Sequence, residues 1–277
     1  MAHAPPLTAG ERWSRELLAG LRADGYRPAA WVVLLDQSFA HAAASRGARP
    51  ALARQARRWG IAGAAATLAA APAGRARPLA GLAWWAACCA MLESHLGMVE
   101  GPSGEPRARL SGADALTLLR LGLVPLAAAP ADRTRWAATI IAAAASDVAD
   151  GRLARRAGPT RLGRDLDSYS DAAFLAAAVS GAARAGWLPR SAAIATLARQ
   201  GAGFAFTSVH WFARGEPPPL SADTRWAAGP TTAGLLLAAG GARRAAAGVL
   251  GLTTAAALIA HAIALARDRR AAGAAAR

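Results

Sequence analysis

Five of the chain's eleven aspartates fall between Ser146 and Asp171, in SDVADGRLARRAGPTRLGRDLDSYSD, while the flanks of that stretch are almost wholly Ala, Val, Ile, Leu and Phe. On a helix turning roughly 100° per residue, Asp147 and Asp150 (i, i+3) share one face, as do Asp167 and Asp171 (i, i+4). A short basic loop between the two pairs makes their helices antiparallel neighbours and gathers four carboxylates at one end. Like charges that close repel unless cations lie among them. Hard oxygen donors of this kind suit Mg2+ or Mn2+, which take few carboxylates and leave positions for water and a substrate's phosphate oxygens. Gly151 admits a bulky group close to the backbone, and Arg155 offers a planar fork that fits phosphate. Asp165, about 200° around the helix from Asp167, reads as a solvated surface residue.

Such a set needs rigid elements to hold it, and the composition says which kind. The 277 residues are 54% hydrophobic with a mean hydropathy of +0.22, above the roughly 45–50% apolar content of ordinary soluble domains. Alanine and leucine make up most of the excess and β-branched and aromatic residues are sparse, so the expected fold class is all-α. The setting expected is a polytopic membrane helix bundle. A carboxylate within a membrane span costs about 2.5–3.5 kcal/mol on insertion scales, so four would cost on the order of 10 kcal/mol without compensation. The formal charge of +15 rests on arginine alone, since the chain contains no lysine. These arginines form no stripe interleaved with aromatic residues, which argues against nucleic acid. They sit mainly at the ends of apolar segments, where anionic lipid headgroups lie.

Residues 1 to about 58 are charged and moderately apolar, with Glu11–Arg22 and Ala29–Ala44 readable as amphipathic helices suited to a cytoplasmic or interfacial position. The N-terminus lacks the charged start and apolar run of a cleaved signal peptide, so insertion would rely on internal segments. Two apolar runs follow, 61–71 and 79–98; the first is shorter than the roughly 20 residues a span needs, and Pro72 ends it. Adjacent Cys88 and Cys89 read as small apolar residues of a buried helix. Glu93 and His95, beside the second run, read either as a functional pair or as an interfacial cap. GPSGEPRARLSG, residues 101–112, marks a linker. It divides the chain into an N-terminal helical extension, 1–110, with one or two additional apolar segments, and a six-transmembrane core, 111–277.

Within that core, apolar segments recur at about 113–130, 134–150, 166–184, 190–212, 224–242 and 245–266. Six spans return both ends to one side. With that side cytoplasmic, thirteen arginines lie in its segments against six in the opposite loops, in keeping with the positive-inside rule.

Asp147-x2-Asp150-Gly151-x2-Ala154-Arg155-x7-Gly163-x3-Asp167-x3-Asp171 resembles the signature of the CDP-alcohol phosphatidyltransferase family. Every signature position is filled. The departure is a gap of seven residues between Arg155 and Gly163, where eight is commonest. Ala113-Asp114-Ala115-Leu116-Thr117-Leu118-Leu119-Arg120 is similar to the family's first-helix motif, with Asp114 standing where Asn is usual. The resemblance covers roughly residues 110–266 and leaves the first hundred or so outside the family core.

The resemblance implies a CDP-linked lipid donor, usually CDP-diacylglycerol, whose lipid-side phosphate is attacked by an alcohol acceptor with release of CMP and no covalent enzyme intermediate. It implies that Asp147, Asp150, Asp167 and Asp171 hold one or two Mg2+ or Mn2+ ions, and that Asp171 also accepts the proton of the attacking hydroxyl. Thr117, Asp150, Gly151, Ala154, Arg155 and Gly163 are then the CDP-binding residues. For Thr117 the residue itself leaves a second reading, a helix-interior hydroxyl bonded back to a carbonyl. An integral membrane enzyme with its site facing the cytoplasm follows, and pairing as a homodimer. Two other readings compete: an intramembrane prenyltransferase, whose aspartate motifs normally lie in two distant segments, and an ion-binding transporter or scaffold, whose sites lie near the bilayer midplane.

Overall fold

The structure, a computed structural model, describes residues 7–70, 78–215 and 225–275. Among the described residues the chain forms ten α-helices and no strand, the all-α class expected from its Ala and Leu content.

The first helix, α1 (Ala9–Ala23), begins on a capping box: the Thr8 hydroxyl accepts from the Glu11 amide at 3.1 Å, and the Glu11 carboxylate accepts from the Thr8 amide at 2.9 Å. Helices α2 (Pro28–Ala48), α3 (Pro50–Ala70) and α4 (Pro78–Ser94) each open on proline, where a missing N–H costs nothing. α3 packs against α4. The expected stop at Pro72 falls outside the described residues. Glu93 pairs with Arg46 at 3.6 Å, and His95 Nδ1 lies 2.7 Å from the Met91 carbonyl, so both serve the end of α4.

The linker seen in the sequence is an ordered turn. Arg107 N–H donates to the Val99 carbonyl and Gly101 N–H to the Glu105 carbonyl, each at 2.9 Å. Six helices follow it: α5 (Gly112–Ala128), α6 (Arg133–Ala157), α7 (Arg161–Arg184), α8 (Arg190–Val209), α9 (Ala228–Ala239) and α10 (Arg243–Ala275). Among the described residues one segment, Arg243–Ala264 of α10, is by itself long and apolar enough to cross a membrane. Helices α5 and α9, with 17 and 12 residues, are shorter than a span.

The basic loop expected between the aspartate pairs is much shorter than the sequence suggested. Helix α6 runs on through Gly151, Ala154 and Arg155 to Ala157, because Arg, Leu and Ala sustain it. Gly158, at φ +77°, and Pro159 then stop it, and α7 starts at Arg161. Both aspartate pairs therefore sit well inside their helices rather than at the ends.

The chain divides into two compact units, Met1–Pro125 with Ala142–Phe174, and Leu126–Ile141 with Leu175–Arg277. In the first, Leu52, Trp85, Cys88, Leu92, Leu96 and Val99 share one apolar core with Leu118 and Leu121 of α5 and Leu162 and Leu166 of α7. Residues from both sides of the 101–112 segment thus bury one another.

The second unit is packed on small residues. Ala127, Ala178, Ala182, Ala238, Ala246 and Ala257 are wholly buried. A Cβ on Gly181 would come within 2.2 Å of the Ala127 carbonyl oxygen, and one on Gly234 within 2.8 Å of Leu250. Such contacts let helix backbones approach one another closely. Leu252, Leu258, Ile259 and Ile263 of α10 face outward instead, an arrangement that suits lipid better than water.

Candidate active site

Three helices of the first unit build the site. From α5 come Asp114, Thr117 and Arg120, one helical step of three apart and all at most 2% exposed. Ser146, Asp147 and Asp150 come from α6, and Asp167, Ser170 and Asp171 from α7.

Arg120 stands where the four carboxylates converge. Its Nη2 donates to Asp150 and lies 3.4 Å from Asp147, both on α6. On the other edge, Nη1 donates to Asp167 at 2.9 Å, to the Ser170 hydroxyl at 3.2 Å and to Asp171, all on α7. Nε reaches the Ser146 hydroxyl at 3.5 Å. The planar fork therefore spans two helices, which a lysine could not do. Burying a lone guanidinium would cost several kcal/mol; four anionic partners and two hydroxyls offset that cost.

One cation beneath four carboxylates leaves negative charge in excess on the open side. There the side chains of Asp147, Asp167 and Asp171 are 44%, 42% and 51% exposed, while that of Asp150 is 9% exposed. Asp147, Asp150 and Asp167 can each offer an oxygen such that all three lie within 4.8 Å of one another. A hard divalent cation binds carboxylate oxygens at about 2.0–2.6 Å, so the donor set and its excess charge fit one. Asp171 joins the quartet through Arg120.

Thr117 makes the back-bond to a helix carbonyl that one of its readings expected, and a second contact as well. Its hydroxyl lies 3.2 Å from the Ala113 carbonyl and 3.4 Å from Asp150, which ties the first-helix motif to the aspartate signature.

Asp114 has a further task. One oxygen accepts from the Ser111 amide at 2.7 Å, capping α5, and the other accepts from the Thr160 hydroxyl at 2.7 Å. Gly163 packs against this pair: a Cβ there would meet Asp114 Oδ1 at 2.6 Å and Thr160 Oγ1 at 2.9 Å. Gly163→Ala is therefore expected to cost about 1–3 kcal/mol through forced repacking, read by thermal unfolding in detergent. Unchanged stability would show that this corner has room.

Gly151, Ala154 and Arg155 continue the stripe of Asp147 and Asp150 along α6 toward the loop. At Gly151 only the Arg155 guanidinium comes within 4 Å of where a Cβ would be, so the face is open. Asp165 points elsewhere and pairs with Arg164 at 3.2 Å, the surface role expected of it. Spacing alone assigned Arg120 no role. The signal was present, because an ionisable residue inside the apolar run LTLLRLGLVPL is a functional hint in its own right.

A family model described as CDP-alcohol phosphatidyltransferase matches residues 110–267, more than half of the chain. Comparison with curated proteins and with solved structures returned no match. The matched span runs from α5 into α10 and contains every residue of the carboxylate quartet together with Thr117 and Arg120. The chain therefore belongs to the CDP-alcohol phosphatidyltransferase family, enzymes that move a phosphate-linked group from a CDP-alcohol to an acceptor.

Proposed function

We propose that this protein transfers a phosphatidyl, or other substituted phosphate, group from a CDP-linked lipid donor such as CDP-diacylglycerol to the hydroxyl of an alcohol, releasing CMP, in phospholipid biosynthesis. The observation that carries this reading is the convergence of all four signature carboxylates on one open locus within the family-matched span.

In this reading Asp147, Asp150, Asp167 and Asp171 hold the metal. One or two Mg2+ or Mn2+ ions, when bound, supply the positive charge that the donor's pyrophosphate and the departing CMP require. Asp171 accepts the proton as the acceptor oxygen bonds to the lipid-side phosphorus and the bond from that phosphorus to the CMP oxygen breaks. Its half-exposed side chain supports that role. Thr117 and Asp150 orient the donor, while Gly151, Ala154, Arg155 and Gly163 line the nucleotide. Residues 111–277 form the catalytic core, with α5 to α10 as its six membrane helices although α5 and α9 are short for that role, and the site faces the cytoplasm, so that the donor's acyl chains stay in lipid while its nucleotide and a polar acceptor meet from water. Association as a homodimer follows the family.

The test is incubation of purified protein with CDP-diacylglycerol, Mg2+ or Mn2+, and a panel of glycerol phosphate, inositol phosphate, serine and a second phospholipid. CMP release with one acceptor, abolished by a chelator, is expected. Absence of CMP with every acceptor, or turnover unaffected by chelation, would overturn the reading.

A further inference from the structure

Between the two aspartate-bearing helices lies a three-residue loop, Gly158–Thr160, held by α1 and by the turn at residues 99–107. Glu100, 6% exposed, is the centre of that contact. Its carbonyl accepts from the Arg161 amide at 3.0 Å, and its carboxylate pairs with the Arg161 guanidinium at 3.3 Å and accepts from the Thr8 hydroxyl at 3.0 Å. Arg161 also donates to the Ser14 hydroxyl of α1 at 2.8 Å.

Three further contacts close the assembly. Arg164 donates to Glu11 at 3.3 Å. Arg107 donates to the carbonyls of Ala157 and Gly158 at 3.2 and 3.1 Å, so the end of α6 is held as well. Arg49, between α2 and α3, ties down the supporting turn through the carbonyls of Leu96 and Val99 at 2.7 and 2.9 Å. Burial alone would raise the Glu11 carboxyl, but the Thr8 amide and the guanidiniums of Arg164 and Arg161 outweigh it and hold the group below the usual carboxylate range. The approach of α1 is close enough that a Cβ on Gly10 would lie 2.7 Å from Arg161 Nη1 and 2.9 Å from Glu100 Oε1.

We infer that α1 and the 99–107 turn are a brace that fixes the α6–α7 loop and the first turn of α7, with Glu100 as the positioning residue for the nucleotide-binding signature. Gly163, Asp167 and Asp171 lie at successive steps of four along α7, so the tether at Arg161 sets where that whole stripe points. The extension outside the family-matched span thereby becomes part of the working site rather than an appendage.

The experiment is hydrogen exchange of the full-length protein in detergent, read at residues 157–163, paired with titration of CDP in the presence of Mn2+. Removing the charge by Glu100→Gln should raise exchange in that stretch about tenfold and weaken CDP binding by a similar factor, because a charge-assisted pair between largely buried partners is lost. Charge exchange, Glu100→Arg with Arg161→Glu, should recover part of both. Ser14→Ala removes the second acceptor of Arg161 while favouring α1 by helix propensity; the brace requires exchange at 157–163 to rise, whereas a merely local role for α1 leaves it at the wild-type level. Unchanged exchange in Glu100→Gln, or raised exchange with unchanged CDP affinity, overturns the inference. It rests on the transferase reading only through the CDP arm: wild-type protein that fails to bind CDP defeats that reading, and the exchange and charge-swap results then decide the brace by themselves.

Discussion

Asp171→Ala is expected to lower CMP release by about 10³-fold, within the range a general base contributes, while leaving CDP binding in the presence of Mn2+ within a few-fold of wild type. The reasoning is positional. Asp147, Asp150 and Asp167 present mutually close oxygens, so the cation-binding set survives loss of Asp171, whose side chain is half exposed at the mouth of the site. Asp150→Ala is the contrasting control: it removes a member of the oxygen set, Arg120's most buried carboxylate partner and the acceptor of Thr117, so binding and turnover should fall together. Turnover by the Asp171 variant at the wild-type rate would remove that residue from the chemistry. Equal loss of binding and rate would make it a ligand only.

Arg120→Ala should destabilise the metal-free protein by about 3 kcal/mol, the scale for stranding a buried charge by deleting its partner. Asp150 is the carboxylate left uncompensated, since its side chain is 9% exposed. Added Mn2+ or Mg2+ should restore much of the loss, because a divalent cation answers the same excess of negative charge. The variant should therefore show a larger metal-dependent gain in thermal stability than wild type. Arg120→Lys should recover little, because a single ammonium cannot serve Asp150 on α6 and Asp167 on α7 together. A metal-free Arg120→Ala protein that melts with wild type would show that the carboxylates hold their places without the guanidinium.

Arg120 makes physical sense of a difficulty already present in the sequence. Four aspartates in an apolar surrounding need compensation before any cation or substrate arrives, or the helices carrying them would splay. A fixed guanidinium beneath the quartet supplies part of it and leaves the open side short of positive charge, which a divalent metal would supply. The same residue joins α5 to α6 and α7, so the first-helix motif and the aspartate signature form one unit.

Much of this protein was legible without coordinates, because the relevant information is local. Helical periodicity alone puts Asp147 with Asp150, and Asp167 with Asp171, on common faces, since i+3 and i+4 neighbours meet on any α-helix. Alanine and leucine content determines the all-helical class in the same way. The ends of α6 and α7 were less legible, because Arg152 to Arg156 reads as a basic loop by charge but as good helix by propensity, and propensity won. What tertiary structure alone decided is who meets whom across long separations. Arg120 finds Asp150 and Asp171 at separations of 30 and 51 residues, and Arg161 finds Ser14 across 147. No periodicity specifies such contacts; they exist because one apolar core, from Leu52 through Leu166, draws the N-terminal helices onto the helices that carry the carboxylates.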